Sequence, residues 1–574
     1  MKIKHLFGLA VIAAMTASCS SNEDLGTAGP GTGTNETGVG YATFTINLPS
    51  VSGTRAADAG GAQMDEGTAK EYAVKSATAL IFQKYGSDEG SCKFVESVDL
   101  PTAAADWTDD TTVGITTTKK LVAKLTNVDT KNQYYVLVLL NNNNKTGGVK
   151  VALPTVGQSY NEWNSQILTP SVDDLAANND FYMANAPLKG TDSPTTLVTI
   201  NKENIYSTKE KAEAGTSAAT VYVERGVAKM SVNDPATKTV IDKATTTPTK
   251  STVKFNNWAL DITNKKTYAV HNIDGLSTDF SDIWTTPRFI GTNSRVYWGK
   301  DPNYNLDNLN KTGKEAEREA EFNFIKATSG INKTFAESAY CLENTFNLAN
   351  MYQGQTTRVI FKATYTPKDV AGNPLADKDG TFYTIGNMTT ILKEAALKTA
   401  VNTAATSVLP GCTVDYTNLK QEGSHVITLA DIKDSTGTTL VADKDYGGKT
   451  GTKIVKEIND KLGLIDGAGH AEAMVGINTY AQGVTYYIAR VKHFGSLTPW
   501  NSGESYGTNN VKYLGRYGML RNNWYELTVG NVYGPGYPGV PPVDPTLPDD
   551  ENEKYLSVSV KILSWAKRSQ KVDL

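Results

Sequence analysis

Cysteine is scarce in this sequence, four in 574 residues, which excludes a scaffold stapled by disulfides. Histidine is nearly as rare, with five, so a His-based metal or catalytic cluster has little to draw on. Charge of one sign is missing too: 56 Lys and Arg stand against 60 Asp and Glu, a net of −4, and no basic field exists for nucleic acid or anionic lipid. The apolar run near the start, Leu6 to Ala14, is only nine residues, too short to cross ~30 Å of hydrocarbon. What is plentiful is 49 Gly and 28 Tyr, with abundant Thr and Asn, a usage that reads as an extracellular all-β chain. At ~150 residues per domain the length allows roughly four, and because sandwiches run large the expectation is two or three.

Lys2, Lys4 and His5 precede the apolar run, the pattern of a cleaved export signal covering residues 1–18. Thr16-Ala17-Ser18-Cys19 resembles a lipobox, in which Cys19 is diacylated and becomes the new N-terminus; Thr16 stands where Leu is usual. Ordinary cleavage with an unmodified Cys19 is the alternative. A polar start, Ser20 to Asp24, and a Gly/Thr/Asn stretch from Gly26 to Gly40 have the composition of a flexible tether.

Tyr41 to Leu48 alternates strictly, with Ala42, Phe44, Ile46 and Leu48 on one face, and predicts a half-buried strand. A loop of small residues follows, in which Arg55 is the only Lys or Arg between Lys4 and Lys70. Such loops are where proteases cut, and cleavage between Arg55 and Ala56 is one reading; an unremarkable loop arginine is the other. Cleavage would make residues 19–55 a propeptide carrying a leader strand. Strand-rich runs from Tyr72 to Phe82, Leu121 to Leu140 and Thr220 to Val232 predict a first sandwich over 56–235, and Asp234 to Ser251 reads as a boundary. A second β-rich domain is expected over 236–530, decorated by helices at Lys314–Ile325, Thr389–Ala405 and Lys453–Leu464.

Six of the 21 prolines fall between Pro535 and Pro548, so residues 531–554 read as a stiff extended spacer. The glycines at 534, 536 and 539 fit a GxGxxG spacing, but no strand–helix unit surrounds them and a nucleotide site is excluded. Beyond it, residues 555–574 alternate again, with Leu556, Val558, Val560 and Ile562 on one face and Trp565 on the other parity. Leader and tail thus share apolar residues at i, i+2, i+4 and i+6. Two such strands could compete for one groove, where burying four apolar side chains is worth on the order of 6–12 kcal/mol. A strand-exchange polymer triggered by proteolysis is one reading; pairing of both strands within their own chain is the other.

Catalytic and metal chemistry finds little support. His271, His425, His470 and His493 lack metal spacing, and His493 reads as a satisfied strand residue. Cys92, Cys341 and Cys412 read as buried thiols, although one pair could bond in an oxidising compartment. Asp301, Asn303, Asn305 and Asp307 begin a calcium-loop pattern, but Leu306 occupies the glycine place and the twelfth position lacks Glu. No cofactor, catalytic residue or metal is expected.

Several stretches resemble the type V pilins (fimbrillins) of Bacteroidetes, in particular the minor-fimbria stalk subunits. Val223 to Lys229 (VERGVAK) is similar to a V-E-R-x-x-A-K/R strand; Asn257-Trp258 with Thr263-Asn264-Lys265 resembles the opening of the family's C-terminal domain. Tyr340 to Thr345 (YCLENT), Thr356 to Val359 (TTRV), Tyr517 to Leu527 (YGMLRNNWYEL) and Val560 to Trp565 resemble later motifs, with Ser564 where proline is usual. The resemblance implies two transthyretin-like β-sandwich domains, a few peripheral helices and an appended C-terminal donor strand. It also implies a lipoprotein precursor in the outer membrane, cleavage by an Arg-specific surface protease, and polymerisation into a fimbrium. Its partners would be copies of itself, tip and anchor subunits, and host or bacterial surface ligands. Tip subunits are expected to lack such a tail, and anchors to lack the cleavable arginine. The competing class is a monomeric surface adhesin or glycan-binding lipoprotein, which would keep residues 41–48 folded in its first domain.

Overall fold

The computed structural model describes residues 33–48, 64–65, 67–102, 108–109, 117–143, 148–177, 180–189, 194–276, 296, 298–386, 388–464, 476–493, 513–549 and 556–565. Strands dominate and helices are few, the architecture of an all-β protein.

The first core is enclosed by a ten-stranded sheet running Lys93–Leu100, Ala77–Gln83, Tyr134–Leu140, Met183–Asn185, Ala219–Arg225, Gly40–Asn47, Thr117–Leu125 and Thr108–Asp109, with two short strands added at its sides. Tyr134–Leu140 (YYVLVLL) is a near-continuous apolar run because it lies inside the sheet with both faces covered. Asn141 ends it at φ +56°, a left-handed turn that asparagine tolerates. Its side chain then ties two strands together, accepting from the Lys75 N–H at 2.7 Å and donating to the Ala73 carbonyl at 2.8 Å.

The chain changes sheets at Gly226, earlier than the boundary near 235 expected from composition. Ala219–Arg225 belongs to the first sheet, whereas Ala228–Val232 already pairs with Ala339–Cys341 and Asn523–Val532 in the second. The reversal needs glycine because a Cβ at 226 would sit 2.8 Å from the Tyr182 ring. The Thr/Lys/Pro-rich stretch 234–251 is no linker but a hairpin, Thr237–Ile241 against Pro248–Asp261, within the second sheet.

That second sheet has nine strands, with the order Met64–Asp65, Leu556–Trp565, Asn523–Val532, Thr237–Ile241, Pro248–Asp261, Arg358–Thr366 and Val484–Arg490. It covers a separate core built on Trp258, Phe361, Tyr487 and Tyr525. A third cluster forms where helices Glu394–Val408 and Gly451–Leu462 pack beside a three-stranded sheet. The later helix is capped at both ends: the Thr450 hydroxyl accepts from the Lys453 N–H, and Gly463 stops it at φ +69°. The third expected helix is shorter, Glu315–Glu321, because Phe322–Asn323 leaves it to pair with Thr263–Asn264.

The Pro-rich segment is not a free spacer over its described length. Prolines offer no N–H but keep their carbonyls, and side-chain donors of the second domain capture them. Arg358 donates to the carbonyls of Pro541 and Pro542 at 2.7 and 3.1 Å, and Gln353 to that of Pro548 at 3.2 Å. The hydroxyls of Tyr487 and Tyr480 hold Gly534 and Gly536 at 2.8 and 3.0 Å. Asp549, at the end of this stretch, is fully buried.

Candidate functional site

The leader strand Gly40–Asn47 occupies an interior place. Thr117–Leu125 runs antiparallel along its whole length on one side. On the other side Ala219–Arg225 runs parallel to Phe44–Asn47, and Ile205–Tyr206 pairs with Tyr41 and Ala42. Ala42, Phe44 and Ile46 are fully buried, and Leu48 nearly so. Without this strand, two unpaired ladders would face each other across an opened core.

The opposite face is covered as well, which alternation alone did not reveal. Helix Lys209–Ala214 lies over it, and Thr43 donates to the Ala212 carbonyl at 2.6 Å. Thr45 shares a 2.6 Å hydroxyl contact with Ser217, and Asn47 accepts from the Thr118 hydroxyl at 2.8 Å. Threonine suits such a place because its hydroxyl finds a partner under cover while its methyl packs. Gly40 admits the neighbouring chain closely: a Cβ there would stand 2.7 Å from Ile205 Cγ2.

Cys19, Arg55 and Ala56 lie outside the described residues. Just downstream of the loop, Glu71 in the short helix Ala69–Tyr72 enters a buried polar seam between the sheets. Lys229 reaches its carboxylate at 2.9 Å, the Tyr340 hydroxyl donates to it at 2.5 Å, and Arg225 donates to its backbone carbonyl at 2.9 Å. Lys229 also lies 3.5 Å over the Trp524 ring. Burial works against the Glu71 charge, yet Lys229 and these hydrogen bonds outweigh it and hold the carboxyl below its ordinary range. Burial lowers the Arg225 guanidinium to about 10.

A second buried group adjoins the first. His271 stands 2.9 Å from Glu224 and 3.8 Å from Glu343, and Arg521 donates to Glu343 at 3.1 Å. The motif residues of VERGVAK, CLENT and LRNN therefore converge on this seam between the two sheets. Sequence reasoning missed Glu71 as its keystone; the signal was the Thr68-x-x-Glu71 capping box, whose glutamate serves both the helix and the seam.

The tail strand Leu556–Trp565 lies in its own chain's second sheet. It runs antiparallel to Asn523–Val532, with Val558, Val560 and Ile562 opposite Val529, Leu527 and Tyr525. Among the described residues its other side pairs with Met64 and Asp65 alone, opposite Ser564 and Trp565.

The remaining candidates are structural. Asp301 is buried and accepts from the backbone N–H groups of Asn303 and Thr345, and burial raises its carboxyl to about 7. Asn305 instead accepts from Asn347 at 2.8 Å, so the calcium-loop oxygens do not converge. Among the described residues no group of three or more His, Cys, Asp or Glu could hold a metal ion. His493 is buried against the Tyr525 hydroxyl at 2.8 Å, and Cys92, Cys341 and Cys412 are free and buried. Among the described residues no helix is long and apolar enough to cross a membrane.

Residues 478–571 match the family model described as "Major fimbrial subunit protein type IV, Fimbrillin, C-terminal". No curated protein matches the sequence. Among solved structures, a fimbrial assembly protein of Parabacteroides distasonis is similar at 13% identity and TM-score 0.26, over 61% of this chain and 93% of that one. The tip fimbrial protein Mfa3 of Porphyromonas gingivalis, truncated at its C-terminus, is similar at 10% identity and TM-score 0.29, over 92% of this chain and 100% of that one.

Proposed function

We propose that this chain, whose C-terminal region is that of a fimbrillin, is a stalk subunit of a cell-surface fimbrium assembled by strand exchange. The observation that carries the reading is the interior position of the leader strand, bonded on both sides, with its apolar face buried and Thr43 and Asn47 buried on the other. Export as a lipoprotein acylated at Cys19, cleavage between Arg55 and Ala56, and loss of the leader would leave the groove open. The tail of another copy then fills it. An arginine-specific surface protease supplies the trigger, and tip and anchor subunits the two ends. The role is structural rather than catalytic.

The two strands support one register. Setting Leu556 at the place of Ala42 puts Val558, Val560 and Ile562 at those of Phe44, Ile46 and Leu48. It also puts Ser557 and Ser559 where Thr43 and Thr45 make their buried and half-buried hydroxyl contacts. Hydroxyl replaces hydroxyl, and Lys561 takes the place of Asn47.

Deleting residues 555–574 tests this most directly, with polymer length read from surface-sheared material by electron microscopy. Folded, secreted subunits that fail to elongate are expected. Normal fibres from the truncated chain would favour the monomeric adhesin instead. Mass spectrometry of the same material should find Ala56 as the N-terminus, and Arg55→Ala cells should hold unassembled precursor.

A further inference from the structure

A cavity of about 870 Å³ opens on the second domain, between the hairpin 237–261 and the segment 384–391. Small-ligand sites commonly fall between ~300 and 1,000 Å³. Neither the leader groove nor the polar seam touches it, and strand exchange makes no use of it.

Asn478 lines this cavity and is itself fully buried. Its Nδ2 donates to Thr384 Oγ1 at 2.9 Å and to the Gly386 carbonyl at 3.3 Å. A carbonyl can only accept, so Gly386 fixes which way the amide points. The Oδ1 is thereby left a buried acceptor with no protein donor. Such an atom asks for an O–H or N–H from whatever enters.

The walls add two further requirements. Tyr365 and Tyr533 line the cavity, and at its edge Met388 is 50% exposed and Val370 96% exposed, unusual places for large apolar side chains. Lys243, Lys250 and Lys368 line it as well, against the carboxylates of Asp242 and Asp369. Both carboxylates are already engaged in turns: Asp242 accepts from the N–H groups of Ala244 and Thr245, and Asp369 from those of Ala371 and Asn373. Lys243 lies 5.8 Å from the Tyr533 ring centroid. Among the described residues neither Lys250 nor Lys368 is paired with a carboxylate.

A ligand that suits all three features carries hydroxyl donors, a flat apolar face and a negative charge. Inorganic phosphate or sulfate lacks the apolar face, and an acyl chain lacks the donors. We infer that this cavity binds an acidic saccharide, a pyranose bearing a carboxylate, with a ring hydroxyl on Asn478 Oδ1, the ring against Tyr533 and the carboxylate toward Lys250 and Lys368.

The test is calorimetric titration of the purified, unassembled full chain with 3′-sialyllactose, trigalacturonate and lactose, so its outcome is independent of strand exchange. An acidic sugar should bind with Kd on the order of 0.1–1 mM, and lactose at least about tenfold more weakly. The tighter of the two acidic sugars identifies the sialic or uronic source. The variant Lys250→Glu with Lys368→Glu should lose at least about tenfold in affinity while its thermal unfolding stays unchanged, and Tyr533→Ala should weaken binding severalfold. Absence of saturable binding by either acidic sugar, lactose binding equally well, or full affinity in the lysine double variant would each overturn the assignment.

Discussion

Leader and tail share one apolar spacing, yet the two sheets hold them differently. The leader is flanked on both sides along its length and roofed by a helix. The tail has a full ladder with Asn523–Val532 on one side and, among the described residues, only Met64 and Asp65 on the other. An interior strand cannot leave without opening a core, whereas a strand near an edge leaves behind one unpaired ladder. Under the proposed strand exchange the asymmetry would give the subunit a direction: the first sheet would be the place to refill, and the second the place that gives.

Single substitutions can break or sharpen that contrast. The largest effect is expected from Phe44→Asp, which buries a charge in the first core. It should cost more than about 4 kcal/mol and abolish hydrogen-exchange protection over Ala77–Leu140, while helices Glu394–Val408 and Gly451–Leu462 stay protected. Val560→Asp should leave those protections intact and stop elongation; equal unfolding by both variants would erase the contrast.

Next comes the seam. Glu71→Gln leaves Lys229 buried without its counter-charge and should cost about 3–5 kcal/mol in chemical denaturation. The sign of its pH dependence follows from the lowered carboxyl pKa: the contribution of Glu71 is present above the ordinary 4.5 and is lost as pH falls through the folded value. The variant should therefore show a flatter acid limb than the parent.

A smaller loss, about 1–3 kcal/mol, is expected from Arg358→Lys. It keeps a charge near Asp261 but forfeits the fork that holds Pro541 and Pro542. Limited proteolysis should then cut within 534–549 while the leader groove is unaffected. Smallest is Gly463→Ala, roughly 1 kcal/mol of strain at φ +69°, confined to the helical lobe and silent in assembly.

The all-β class was legible from composition, and the leader from its alternation, because a period of two survives in any sheet. Its second covered face was not legible, since threonine reads as polar whether it meets water or the Ala212 carbonyl. The change of sheet at Gly226 escaped for a related reason. VERGVAK looks like one continuous strand, and only the Tyr182 ring beside the glycine shows why it must break there. Composition placed the division at the Thr/Lys/Pro stretch instead, where a solvent-facing hairpin has a linker's residues without a linker's role. The seam was half visible: its motifs stood out, but their convergence spans Glu71 to Asn522, a separation no local pattern carries.

The docked proline segment sets a length scale for any fibre. If the whole stretch from Asn531 to Lys554 were loose, a tail could swing roughly 70 Å, and successive subunits would hang like beads on string. With Asp549 buried, only residues 550–555 separate the anchored chain from Leu556, six residues that extend to about 20 Å. An exchanged tail would then hold its neighbour almost in touch. The axial repeat would be set by the bodies of the subunits rather than by a tether, and the filament would resist bending as a rod does.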